Sequence, residues 1–272
     1  MLSYIEESSP IHSLCGATKL IVFLLWSILV MLSFHTPMLL AMAAMGIVFF
    51  TVSKIHLSDV AFIVKMMALF LALNLIAIYI FSPEEGVKIY QTRNIIAEGA
   101  GRFTITAEQL FYEFNILLKY VTIIFPAVLL IVTTHPSEFA SSLNLIGIPY
   151  TAAYAVSLTL RYIPDIQRDF ETITQAQQAR GLELSKKASW YKRLRRTVPI
   201  LLPLIFSSLD RIDVISRAME LRGFGKNARR TWFSSKPFSR RDKLVLILSA
   251  LVFTAGTWLT FHGEGRFFNP FR

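Results

Sequence analysis

Cysteine is nearly absent: Cys15 is the only one in 272 residues, which excludes an intrachain disulfide. Histidine is thin as well. His12, His35, His56, His135 and His262 are scattered, and no acid or base is placed beside them for chemistry. No cluster of Cys and His suggests a metal centre, and no cofactor is expected. The phosphate loop Gly-x-x-x-x-Gly-Lys does not occur, so any nucleotide chemistry must lie in another chain. Paired acids of the kind that mark a proton or ion path are missing from the apolar runs. Lys65, Asn74 and Lys119 are the notable polar residues near those runs, and they read as packing, locally bonded or snorkelling groups. A secretory signal is not expected either, because Glu6 and Glu7 precede the first apolar run and no small-residue cleavage site interrupts it.

Apolar residues are what the chain has in excess. They make up 54% of the sequence, with 22 Phe, and mean hydropathy is +0.51. That is too apolar for an ordinary soluble domain and predicts an all-α polytopic membrane protein. The net charge of +10 is unevenly placed. Between Ser137 and Lys243 there are 19 Lys or Arg against 9 Asp or Glu, whereas the remainder sums to zero. A basic region beside apolar spans predicts the cytoplasmic face of a membrane. Nucleic-acid binding, the rival reading of such charge, has no recognisable module here.

A crossing needs roughly 20 residues, about 17 at the least. Five runs are read as crossings: Ala17 to Phe34, Pro37 to Val52 (a residue short of that minimum), Val60 to Phe81, Phe111 to Thr134 and Leu244 to Phe261. Pro126 is expected to kink the fourth. Residues 82 to 108 hold Gly86, Gly99 and Gly101 and read as a connection with a short surface helix. Tyr150 to Leu160 and Val198 to Leu209 are too short to be secure crossings. Each is either a buried segment or the membrane-embedded start of a longer helix, and six or seven spans remain open. The organisation expected is 1–136 for the first transmembrane helices, 137–242 for a basic region with membrane-associated segments, and 243–272 for a last helix and tail.

Within the basic region, Pro164 reads as a place where a helix begins again. Ile166, Phe170 and Ile173 then share one face with Gln177, among Arg161, Asp165, Arg168 and Glu171. Ala179-Arg180-Gly181 closes that stretch. A second amphipathic stretch carries Leu209, Ile212, Ile215 and Met219, and Leu221-Arg222-Gly223-Phe224 closes it, leaving Phe224 as an exposed aromatic. Glycine is a natural helix end, and a cation sits well against the dipole of a last turn. C-capping by itself explains either end taken singly. Duplication, on apolar stripes too long to leave bare in water, points instead to a partner. Between the two lies Lys186 to Arg196, read as an interfacial segment with Trp190 and Tyr191 among lipid headgroups.

With these two motifs in this order, the chain resembles the transmembrane T component of energy-coupling factor transporters, the EcfT or CbiQ-like family. The resemblance covers nearly the whole sequence. It implies long cytoplasmic coupling helices ending in Ala179, Arg180 and Gly181 and in Leu221, Arg222, Gly223 and Phe224. It implies two cytoplasmic ATPase partners, a small membrane S component that captures a vitamin or similar micronutrient, and no catalysis by this chain. The alternative is a self-contained secondary transporter, which predicts an internal repeat and broken helices meeting at the midplane. Pro126, Pro199 and Pro203 leave that open, but no matching halves are visible.

Overall fold

The computed structural model describes residues 9–99, 103–181, 190–227, 231–233, 235–262 and 266–271, and for 190–196 the backbone only. Among the described residues the elements are α1 (Gly16–Leu32), α2 (Thr36–Val52), α3 (Leu57–Phe81), α4 (Glu85–Tyr90), a small antiparallel pair β1 (Ile95–Ala97) and β2 (Ile105–Thr106), α5 (Ala107–Thr133), α6 (Pro136–Leu145), α7 (Tyr150–Ala179), α8 (Trp190–Leu221) and α9 (Arg240–His262). Two compact units result. One is Met1–His135 with Lys236–Arg272, and the other is Pro136–Ser235.

In the first unit α3, α5 and α9 are long and apolar enough to cross a membrane, and α1 and α2 are shorter apolar helices of 17 residues. The protein is therefore an all-α multi-pass membrane protein. The five expected runs coincide with these five helices. The start of α5 lies earlier than hydropathy alone indicates, because polar residues cap it. The Thr106 hydroxyl accepts from the Gln109 amide at 3.3 Å, and Glu108 in the first turn accepts from the backbone and side chain of Asn94. The helix runs unbroken through Pro126. The connection before it holds α4, as expected, and also the β1–β2 pair, which the sequence reading did not anticipate.

Helix α5 is central, packing on α1, α2, α3 and α4. It runs antiparallel to α1: Lys19 pairs with Thr133 O at 2.7 Å, the Trp26 indole with Thr122 O at 3.1 Å, and Lys119 with Met31 O at 3.1 Å. It runs parallel to α2, with Thr36 donating to Asn115 at 2.8 Å at one end and Phe50 and Phe125 in ring contact further along. Apolar side chains close the core between them, including Leu29, Leu39 and Leu118 in one cluster and Val60, Val128 and Val132 in another. The Lys19, Trp26, Thr36, Asn115 and Lys119 side chains are thus bonded to helix carbonyls or to one another, as a medium without water favours. Lys119 is buried, with its ammonium 3.2 Å from the centroid of the Phe34 ring. Lys65 is exposed and Asn74 half-buried. Helix α9 lies along α1, where Gly256 leaves room for Leu29 and Met38; a Cβ there would come within 2.8 Å of each. The carboxy-terminal tail returns to the same unit, with Arg266 bonded to Leu32 O at 2.7 Å and Phe267 stacked on Phe34.

In the second unit α6 packs on α7 and α7 on α8. Helix α7 is 30 residues long and continuous through Pro164. The expectation of a restart at Pro164 is corrected: one missing backbone bond does not end a helix whose remaining turns are intact. Tyr150 to Leu160 is the opening of that helix. Val198 to Leu209 lies inside α8, which tolerates both Pro199 and Pro203 across 32 residues. Gln177 reaches Pro199 O, and Asp169 pairs with Arg211, so the two helices run antiparallel.

Candidate functional site

Both arginine-bearing ends are stereochemically alike, and glycine is the reason. At the end of α8 the Gly223 amide donates to Glu220 O and the Phe224 amide to Met219 O, each at 2.9 Å. These are the paired bonds of a Schellman cap, which places one residue in the left-handed region. Gly223 occupies it with φ +65°. At the end of α7 the Gly181 amide donates to Gln178 O at 2.9 Å, with φ +86° at Gly181. Residue 182, where the second bond of that cap belongs, lies outside the described residues.

Capping therefore accounts for both glycines. It does not account for the arginines, because every bond of the cap runs between backbone atoms. Arg180 and Arg222 are the last residues before the left-handed turn, and both are exposed. Ala179 and Leu221 beside them are exposed as well, Leu221 to 90%.

The antiparallel arrangement separates the two ends. Arg180 follows Gln177 by three residues, and Gln177 touches Pro199. Arg222 lies 23 residues further along the chain than Pro199, a distance of roughly 35 Å at 1.5 Å per residue. One arginine stands at each end of the helix pair.

The second end is also braced. Phe224 is half-buried rather than exposed, with its ring 5.5 Å from that of Tyr150 and 5.0 Å from that of Tyr154. The Gly225 amide donates to the Tyr150 hydroxyl at 2.6 Å. The Trp232 ring lies tilted 6.2 Å from that of Tyr154, and its indole donates to Asn144 at 3.1 Å. Sequence reasoning missed Tyr150, Tyr154, Asn144 and Trp232. The available signal was the aromatic pair at i and i+4, which shares one helix face.

The apolar faces are partly used within the unit. Along α8 the less exposed row runs through Ile200, Leu204, Ser208, Arg211, Ile215 and Met219, at helical spacing. Leu209 and Ile212 fall off that row and are 51% and 54% exposed. On α7 Ile173 is half-buried, while Ile166 and Phe170 are each 39% exposed. The Asp169–Arg211 pair is about a third exposed, with Tyr162 beneath the guanidinium. Such a pair contributes on the order of 0.2–1 kcal/mol and serves mainly to set the register of the two helices. The segment from 186 to 189 and the side chains of 190 to 196, including Trp190 and Tyr191, lie outside the described residues.

Among the described residues no group of three His, Cys, Asp or Glu side chains is gathered for a metal. What the structure itself defines is a multi-pass helical membrane protein with two exposed arginines at capped helix ends. The family comparison gives the class a name. Residues 7–232 match the family model CbiQ, described as cobalt transport protein. Curated relatives extend the match over nearly the full length. The energy-coupling factor transporter transmembrane protein EcfT of Streptococcus thermophilus is 30% identical over 253 residues, covering 90% of this chain and 92% of the relative. The proteins of that name from Brevibacillus brevis and Bacillus subtilis are each 27% identical over 266 residues. They cover 94% and 92% of this chain, and 97% and 95% of their own lengths. The chain belongs to the CbiQ/EcfT family, the non-catalytic transmembrane coupling subunits of energy-coupling factor transporters.

Proposed function

We propose that the chain joins two cytoplasmic ATP-hydrolysing subunits to a small membrane subunit that captures a vitamin or similar micronutrient. The unit Pro136–Ser235 lies on the cytoplasmic side of a bacterial or archaeal cell membrane, where its excess of Lys and Arg favours it. Arg180 enters a groove on one ATPase and Arg222 a groove on the other. The observation that carries this reading is the placement of two alike arginine ends at opposite ends of one antiparallel helix pair. A rigid connection of that length would convert the approach of two ATPases on nucleotide binding into movement of the helices between them. Arginine suits the task because its planar fork makes two directed bonds to a carboxylate or to helix-end carbonyls. Leu209, Ile212, Ile166 and Phe170, left exposed along the same two helices, add apolar contact to a partner. Helix α3, with Val60 its one buried residue, offers an apolar face to lipid or to the substrate-capturing subunit.

The test is ATP-driven uptake and ATPase pull-down for Arg180→Ala, Arg222→Ala and the double variant at matched membrane abundance. Each single change is expected to impair uptake more than recovery of the ATPases, and the double change to impair both. Wild-type uptake with unchanged pull-down in the double variant would reduce the pair to helix capping.

A further inference from the structure

We propose that the β1–β2 hairpin is an interfacial anchor, laying Ile96, Phe103 and Ile105 against lipid acyl chains at the membrane boundary where α3 ends. One face of the hairpin is fastened to the first unit. Thr104 and Thr106 are buried, and the Thr106 hydroxyl caps α5. Asn94, just before β1, donates its amide to the Glu108 carboxylate at 3.0 Å and accepts from the Ala107 amide at 2.9 Å. The Tyr79 hydroxyl of α3 donates to Phe103 O at 3.0 Å. The other face is bare. Phe103 and Ile105 alternate with the two threonines along the strand and are 47% and 38% exposed. The facing strand is bulged: Ile95 pairs with Thr106 and Ala97 with Ile105, so Ile96 is the extra residue. A bulge sets two residues against one, which puts Ile96 beside Ala97 opposite Ile105, and Ile96 is 61% exposed.

Helix α3 fixes the depth. From Val60 to Phe81 it is apolar but for Lys65, Asn74 and Tyr79, a rise of roughly 33 Å against a hydrocarbon core of about 30 Å. Tyr79 stands two residues before the end of that helix, at the level where tyrosine collects in membrane proteins, and it holds Phe103 there. The surface is continuous with that of α3: Ile76, one turn before Tyr79 on the same face, is exposed, as is the terminal Phe81. Val60 is the one buried residue of α3, and a partner covers only one side of a helix, so lipid covers the rest. The hairpin suits neither water nor the hydrocarbon core. Its three fixed apolar side chains favour acyl chains, whereas the open edges of a two-stranded sheet need water or headgroups. The boundary layer supplies both, and Lys88, Arg93 and Glu98 of the same connection are exposed to meet its polar side. Addition of a partner's strand is disfavoured, because β1 has three residues and a bulge, features that blunt an edge against pairing.

The test places a nitroxide on Ile96→Cys, Ile105→Cys or Lys88→Cys in the full chain, one chain per nanodisc of phosphatidylcholine and phosphatidylglycerol. Cys15, 2% exposed, gives a low background, and each labelled chain must match the melting temperature of the unaltered one. Collisions with oxygen, which concentrates among acyl chains, are compared with collisions with a water-soluble nickel chelate. At 96 and 105 access to oxygen is expected, with access to the chelate several-fold below that at 88, and the same pattern is expected in the assembled transporter. Phe103→Trp, which needs no cysteine, is expected to lose more emission than the unaltered chain when the acyl chains are brominated. Chelate access at 96 and 105 equal to that at 88 would overturn the proposal, since the hairpin would then stand in water. Absence of excess quenching at 103 would overturn it too. So would loss of oxygen access on assembly, which would assign the face to a partner protein.

Discussion

Replacing Gly223 with Ala and Arg222 with Ala separates two roles that the same short motif could serve. Gly223 holds φ +65°, and the cap it permits ties Phe224 to Met219 O and Gly223 to Glu220 O. An alanine in the left-handed region costs roughly 1–2 kcal/mol. Gly223→Ala should therefore loosen the last turn and weaken the seating of Phe224 against Tyr150 and Tyr154. Arg222→Ala leaves every backbone bond of the cap in place and improves local helix propensity slightly. At the partner, loss of a charged hydrogen bond is worth about 1.5–3 kcal/mol, or a ten- to hundredfold weaker attachment at that end. The assay is amide hydrogen exchange over 219–227 on the purified chain, paired with ATPase pull-down from membranes. Faster exchange is expected for Gly223→Ala alone, and reduced ATPase recovery with native exchange for Arg222→Ala. Arg222→Lys should recover part of the loss, since a point charge lacks the fork. If Arg222→Ala binds ATPases normally and only Gly223→Ala fails, the arginine is incidental and the reasoning is refuted.

Tyr150→Phe removes the oxygen that accepts the Gly225 amide, at a cost of about 0.5–1.5 kcal/mol, seen as faster exchange at Gly225 with little change at Gly181. Gly256→Leu forces a branched side chain against Leu29 and Met38 and should destabilise the first unit by about 1–3 kcal/mol, read as a lower melting temperature, whereas Gly256→Ala is met by movable side-chain ends and should cost less. A cysteine placed at the exposed Lys226 should react with an impermeant thiol reagent in inverted vesicles and not in intact cells, against a low background because Cys15 is 2% exposed; external labelling would reverse the proposed orientation.

Hydropathy alone located the five apolar helices, because long runs so poor in charge have few other places to go. It erred where polar residues belong to a helix for reasons other than burial, as at Thr106 to Gln109, which cap α5. Local rules also misjudged Pro164. A proline is a weak breaker inside a helix of 30 residues, since the other backbone bonds hold the rod together. Composition did not disclose Lys119 beneath Phe34 or the return of Arg266 to Leu32, because both join residues far apart in sequence.

The sequence by itself determined that the protein is helical and lives in a membrane, and that two helices of its basic region end in Arg-Gly. Those properties follow from local quantities: transfer of apolar runs out of water, and the left-handed turn that glycine alone adopts without cost. Only the tertiary structure decided that the two ends face apart. Antiparallel pairing of α7 and α8, registered by Asp169–Arg211 and Gln177–Pro199, sets the arginines at opposite ends. It also decided which apolar residues are spent inside the pair, Ile215 and Met219 among them, and which stay exposed, as Leu209 and Ile212 do. Pairing across 42 residues is a non-local choice, made by packing, and no short stretch of the chain encodes it.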